Sequence, residues 1–199
     1  MPRVLVTNFH PRGGGGHVPY IFSLIRHLHN AEHVFGVAAP EQSQVYRFLA
    51  EASYPFLYHC DFPAISHKKM GQVSQSLVRF REIVKDFRPD IVHTNGGDLY
   101  TVIWSHPLQR PFKIIRTHHA VRTIENDFYH RFIYGKAVAW NIFVSKSSLR
   151  LCASSGINLP NSMVIENGID TDLFKPIPKD RSLAAKLGIE EEVLCFGSC

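Results

Sequence analysis

Seven short apolar runs, separated by longer segments of helical periodicity, set the tightest limit on the architecture open to this chain. They fall at residues 3–8, 33–38, 55–58, 90–94, 113–117, 139–144 and 162–166. They are short and apolar rather than cleanly alternating, the pattern of strands covered on both faces. The clearest helical stretch, 68–87, puts Met70, Val73, Leu77, Phe80, Ile83, Val84 and Phe87 on one stripe. Arg88-Pro89-Asp90 then stops it and launches the next strand. Strands alternating with helices through right-handed crossovers predict an α/β fold, a doubly wound parallel sheet of Rossmann-like type.

Near the end, residues 164–176 read Val-Ile-Glu-Asn-Gly-Ile-Asp-Thr-Asp-Leu-Phe-Lys-Pro. This predicts a buried strand, an Asn-Gly turn of positive φ, and a short turn capped by Asp170 or Asp172 that tucks in Phe174. Another apolar strand is expected over 193–197. The expected organisation is a Rossmann-like domain over 1–178, then a linker and the first strand of a second domain over 179–199. A site lying between two such domains would be half present.

Composition narrows the function. No apolar run approaches the ~18 to 20 residues that span a bilayer, and the start enters a strand with no secretion signal. The expectation is cytoplasmic, with peripheral contact at the inner membrane face as a further option. Cys60, Cys152, Cys195 and Cys199 are scattered, so they read as reduced thiols rather than a disulfide or zinc framework. The net charge of +5 favours anionic partners, but Lys and Arg are spread along the chain, and no nucleic-acid partner is expected. Residues 126–136 interleave aromatics with cations, which suits a membrane interface. Core packing by Phe128, Phe132 and Ile133 is the preferred reading of that segment.

Three segments carry chemistry. Residues 13–16 are four consecutive glycines between the first strand and a helix that Pro19 is expected to open. Such a loop brings backbone N–H groups to a phosphate or a sugar hydroxyl at the positive end of a helix. Val18 stands where the dinucleotide fingerprint needs a third glycine, and no Gly-Lys-Ser/Thr follows, so neither that motif nor a P-loop is present. Next, His93, Asn95 and Gly96 end one strand, and Arg116-Thr117-His118-His119 ends the next. Ligands of open α/β sheets bind beyond these carboxyl ends, so the two edges are expected to converge. By strand alternation only one of His118 and His119 is expected to face the cleft. Asp170-x-Asp172 superficially matches a metal-binding pair, but capping accounts for both carboxylates.

Taken in order, these pieces resemble the N-terminal domain of a family 4-type (group 1) retaining glycosyltransferase of two-Rossmann-domain GT-B fold. The matching elements are the glycine loop 13–16, Asp90-Ile91-Val92-His93, and Arg116-Thr117-His118-His119. They continue with Ile142-Phe143-Val144-Ser145-Lys146-Ser147-Ser148 and the 164–176 segment. The resemblance implies transfer of a sugar from a nucleotide-diphosphate donor to a sugar or lipid-linked acceptor hydroxyl with retention, without metal or cofactor. It assigns donor phosphate or sugar contacts to Gly14, Gly15 and Gly16. It gives the donor-sugar contact and catalytic position to His119, and the acceptor side to His93, Asn95, Gly96, Thr117 and His118. Asn95 stands where many members carry the second histidine of a His-x-His. The family's Glu pair separated by seven residues has no counterpart here, which implies the N-terminal part of a longer, active enzyme. The alternatives are a non-catalytic sugar- or lipid-binding module, such as one subunit of a split enzyme, and a nucleotide-sugar epimerase.

Overall fold

The computed structural model describes residues 1–13, 15–28, 32–64, 70–120, 123–157, 159–176, 178–190 and 193. It divides into two compact units, Met1–Asn167 and Gly168–Cys199, so the division falls earlier in the chain than the expected boundary at 178.

In the first unit all seven apolar runs are strands: β1 Arg3–Thr7, β2 Val34–Ala39, β3 Leu57–His59, β4 Ile91–Thr94, β5 Lys113–His118, β6 Trp140–Phe143 and β7 Ser162–Val164. They form one parallel sheet in the order β3-β2-β1-β4-β5-β6-β7. Alternation along β1 shows why both faces must be covered. Val4 and Val6 pack with Ile21 and Ile25 of helix α1 (His17–Leu28) and Val45 and Leu49 of α2 (Gln44–Glu51). Leu5 packs oppositely with Phe80, Ile83 and Phe87 of α3 (Met70–Phe87) and Leu99 and Val102 of α4 (Asp98–Ser105). Burying a side chain of this size contributes roughly 1.5–3 kcal/mol, so these two layers supply the main drive to fold.

Chain order reverses direction in the sheet between β1 and β4, and this seam is pinned at its amino end. Arg3 N–H donates to Asp90 Oδ2 (2.7 Å) and Arg3 Nε–H to the Phe87 carbonyl (2.6 Å). Helix α3 ends where expected, with Arg88 at φ 50°. Its start differs. Lys68 and Lys69 lie outside the described residues, and Met70, expected on the buried stripe, is 56% exposed in the first turn. Helix α1 begins at His17, two residues before Pro19. Pro19 sits in the first turn, where no intrahelical partner for its missing N–H is required.

Beyond β5 come α5 (Phe128–Phe132), a π-helical turn Ile133–Ala137, and α6 (Lys146–Ser154). The expected core role holds for Ile133 but not for Phe128 and Phe132. Phe128 is 86% and Phe132 48% exposed, because only Ile133, Tyr134 and Ala137 turn toward the sheet. Ser145 caps α6 by accepting from the Ser148 N–H (3.1 Å), and Ser148 Oγ–H donates to the Ala120 carbonyl (3.1 Å). Ser148 therefore ties α6 to the loop after β5.

The second unit holds α7 (Arg181–Lys186), capped by Asp180, whose carboxylate accepts from the Leu183 N–H (3.0 Å). Asp170 caps as expected, accepting at Oδ1 from the N–H groups of Asp172 and Leu173 (3.1 Å each). Phe174 is 66% exposed rather than tucked in, and neither Asn167 nor Gly168 takes a positive φ. At the head of this segment Ile165 is half exposed, so the strand it follows is an edge strand rather than a buried one. Of the strand expected over 193–197, everything beyond Val193 lies outside the described residues. Among the described residues no helix is long and apolar enough to cross a membrane.

Candidate functional site

At the carboxyl edge of the sheet, the loops after β1, β4 and β5 enclose a cleft of about 550 Å³ beside the reversal point. This is where open α/β sheets hold their ligands. Phe9 and His10 come from the first loop, Asn95, Gly96 and Gly97 from the second, His118 from the end of β5 and His119 from the loop after it. The head of α1 contributes His17.

A buried carboxylate organises the second loop. Asp98 is fully buried at the start of α4. Its Oδ2 accepts from the Asn95 N–H (2.9 Å) and from the Thr7 hydroxyl, and its Oδ1 accepts from the Gly96 N–H. Arg116 pairs with Oδ1 across 3.5 Å and also donates to the Gly96 carbonyl. Four donors from three elements thus converge on one side chain, as a buried charge requires. Gly96 can carry no side chain here, because a Cβ would fall inside the Phe9 ring. Packing of Phe9 against that bare backbone fixes the floor of the cleft.

Held in this way, Asn95 turns its amide inward. Nδ2 donates to the Thr7 carbonyl (3.0 Å), and Oδ1 shares a hydrogen bond with His119 Nε2 (2.9 Å). The His119 ring also packs edge-on against His17 and Tyr20, with centroids 4.3 and 4.8 Å away. His17 Nδ1 in turn meets His10 Nε2 at 3.2 Å. Burial, helped by His17, His93, Arg116 and His118, pushes His119 down to about 3. It is therefore neutral near pH 7, a hydrogen-bonding group rather than a cation.

The expected site residues separate into two layers. Asn95, Gly96, His118 and His119 all border the cleft. That both histidines do so departs from strict alternation, because His119 lies just past the end of β5. His118 remains 8% exposed, stacked on Phe143 at 4.4 Å and bonded to Asn141 Oδ1 (3.0 Å). His93 and Thr117 do not reach the cleft. They lie behind Tyr20, with His93 Nε2 2.7 Å from Thr117 Oγ1 and the Tyr20 hydroxyl 3.3 Å from the same oxygen. Gly15 and Gly16 are exposed in the loop before α1 and do not line the cleft, although their neighbour His17 does. Gly15 takes a φ of 51°, in the left-handed region that favours glycine. Gly14 lies outside the described residues.

Sequence reasoning missed His17, Phe9 and Asp98. A histidine directly after the glycine loop was the available signal for His17. It also missed Glu125, Asp127 and His130, a trio of metal-ligating type on α5 and the segment before it, in which Glu125 and Asp127 are exposed and His130 half-buried, with Glu125 and His130 at the cleft's edge. Asp127 is already engaged there, capping α5 at the His130 N–H and bonding His130 Nδ1 (both 2.8 Å).

The buried imidazoles give the fold an acid limit. Burial first, then Arg116, pushes both His93 and His118 down to about 4 from an ordinary 6.5. Between these values the unfolded chain binds protons that the folded chain refuses, so stability is full above pH 6.5 and falls as pH drops toward 4. Each of these two histidines is expected to contribute a slope of up to about 1.4 kcal/mol per pH unit, and the partly solvated His119 less. Urea melts at pH 7.5, 6, 5 and 4.5 check this, and a flat profile would refute it.

Comparison with known proteins bears on what such a cleft is for. The sequence model of Glycosyltransferase Family 4 matches residues 14–173. A solved glycosyltransferase from Rickettsia africae is similar at a TM-score of 0.71 and 18% identity, over 96% of this chain and 51% of that one. Anabaena HepE in complex with UDP-glucose is similar at 0.70 and 15% identity, over 94% of this chain and 50% of that one. A UDP-GlcNAc 2-epimerase from Methanocaldococcus jannaschii follows at 0.56 and 12% identity, over 81% of this chain and 45% of that one. The chain spans about half the length of these solved structures. Among curated proteins no sequence matches.

Proposed function

The chain belongs to glycosyltransferase family 4, and from that premise we propose that it is the acceptor-side half of a retaining enzyme. That enzyme moves a sugar from a nucleotide-diphosphate donor to an acceptor hydroxyl. The observation that carries the reading is the convergence of Asn95, Gly96, His118 and His119 on one cleft at the reversal point of the sheet. A neutral His119, oriented by Asn95 Oδ1, is suited to hydrogen-bond a sugar hydroxyl without adding charge. The glycine loop at the head of α1 offers backbone N–H groups to a leaving diphosphate. In this scheme rate comes from positioning and from stabilising charge on the leaving group, with no metal on the route. UDP-glucose in the HepE structure supports a nucleotide-sugar as donor class. The epimerase reading rests on a likeness of lower score and coverage.

Holding both reactants together is worth roughly 7–11 kcal/mol of barrier, so half a cleft forfeits most of the rate. The 1–199 protein, incubated with UDP-, GDP- and ADP-sugars and a mixed panel of glycoside acceptors, is expected to transfer no sugar. A longer chain carrying a donor-binding half is expected to transfer in the presence of EDTA. Steady turnover by the 1–199 protein would overturn the half-site reading, and EDTA-sensitive transfer would overturn the metal-free one.

A further inference from the structure

A second cleft, of about 610 Å³, opens on the same edge of the sheet, beyond the ends of β2 and β3. Phe9 belongs to the wall of both clefts. The close fit of Phe9 against Gly96, and its packing on His10 with ring centroids 3.9 Å apart, hold that partition in place.

The two sides of the second cleft differ in chemistry. One side is apolar and stiff, built by Pro40, Phe62 and Pro63. The other is a face of α3, where Gln72, Gln75, Ser76 and Arg79 follow one another at helical spacing. Each Gln carboxamide offers two donors and an acceptor with two lone pairs. Arg79 is oriented by its own bonds, donating from Nε to the His59 carbonyl (3.1 Å) and from Nη1 to Glu82 (3.0 Å). Asp61, 3.5 Å from His59 Nε2, adds a carboxylate to the lining that offsets the guanidinium. An apolar wall facing amides, with no net charge, matches a pyranose ring, whose C–H face is apolar and whose rim carries hydroxyls that both donate and accept.

We propose that this second cleft is a subsite for the next sugar unit of a glycoside acceptor, whose linkage passes beside Phe9. The inference rests on the acceptor-side reading above and adds the substrate class: an acceptor of at least two sugar units.

Amide chemical-shift mapping of the 15N-labelled 1–199 protein tests it. The probes are methyl glucoside, galactoside and mannoside, the matching 1,4-linked methyl disaccharides, and UDP-glucose. Monoglycosides are expected to move the amides of Asn95 and Gly96, and a disaccharide to move those of Gln72 and Gln75 as well. Gln75→Ala, an exposed change, is expected to weaken the disaccharide about five- to tenfold, the worth of one hydrogen bond, and to leave the monoglycoside unchanged. Disaccharides that move only Asn95 and Gly96 would overturn the second subsite while leaving the acceptor reading intact. UDP-glucose moving Gln72 and Gln75 would assign the cleft to the donor and overturn the proposal. If no glycoside moved either set, the acceptor reading itself would fall, and the subsite with it.

Discussion

Asp98→Ala is expected to lower the unfolding free energy by about 3–5 kcal/mol, the usual cost of breaking a buried ion pair from one side. The substitution strips the acceptor from the Thr7 hydroxyl and from the Asn95 and Gly96 N–H groups, and takes away the carboxylate facing Arg116. Domains of this kind are stable by only about 5–15 kcal/mol, so the variant should sit near the edge of folding. Asp98→Asn keeps the shape and one oxygen acceptor but loses the charge, so its cost should fall between wild type and Ala. Urea denaturation of the three proteins checks the order. A loss under about 1 kcal/mol for Ala would mean that water replaces the carboxylate and that the loop does not depend on it.

For His119→Ala the expected effect is on turnover rather than on folding. In a chain that carries the donor half, kcat should fall about a hundredfold or more, the scale for losing one preorganised hydrogen-bonding partner. Stability should drop by about 1–2 kcal/mol, because the half-buried ring gives up its bond to Asn95 and its edge contacts with His17 and Tyr20. Neutrality of the imidazole, which burial pushes down to about 3, sets the conservative replacements apart. His119→Gln keeps a neutral group that can both donate to Asn95 and accept from a hydroxyl, and should recover part of the rate, whereas His119→Lys brings a charge and should not. A melting curve beside a transfer assay separates the outcomes. Normal turnover with a collapse in melting temperature would make His119 a core residue.

How far the sequence could be read depended on the distance between interacting residues. Strands such as β1 were legible because Val4, Leu5 and Val6 form a continuous apolar run, a local signal. Helix α3 was legible from its stripe for the same reason. Asp98 was not, because an aspartate after Gly96-Gly97 at a helix start looks like an ordinary cap. Its decisive donor, Thr7, lies 91 residues away. The same limit hid the two layers of the site. His93 and Thr117 read as cleft residues from their place at strand ends, yet Tyr20 of α1 covers them. Phe128 and Phe132 were misread because helical spacing identifies a stripe without saying whether anything covers it.

The seam between β1 and β4 also bears on when the site comes into being. Arg3 and Asp90, which close its amino end, are 87 residues apart in sequence, and β5 then adds to the far side of β4. During synthesis at ~5–20 residues per second, β1 and β2 leave the ribosome seconds before β4 exists to join them. Closing so long a loop costs entropy before any contact repays it, which makes this pairing a slow step. Until it forms, the apolar edge of β1 has no partner and the loops after β1, β4 and β5 cannot meet. The nascent chain therefore passes through a stage that has strands but no cleft, and in that stage the unpaired edge of β1 is the surface most in need of protection.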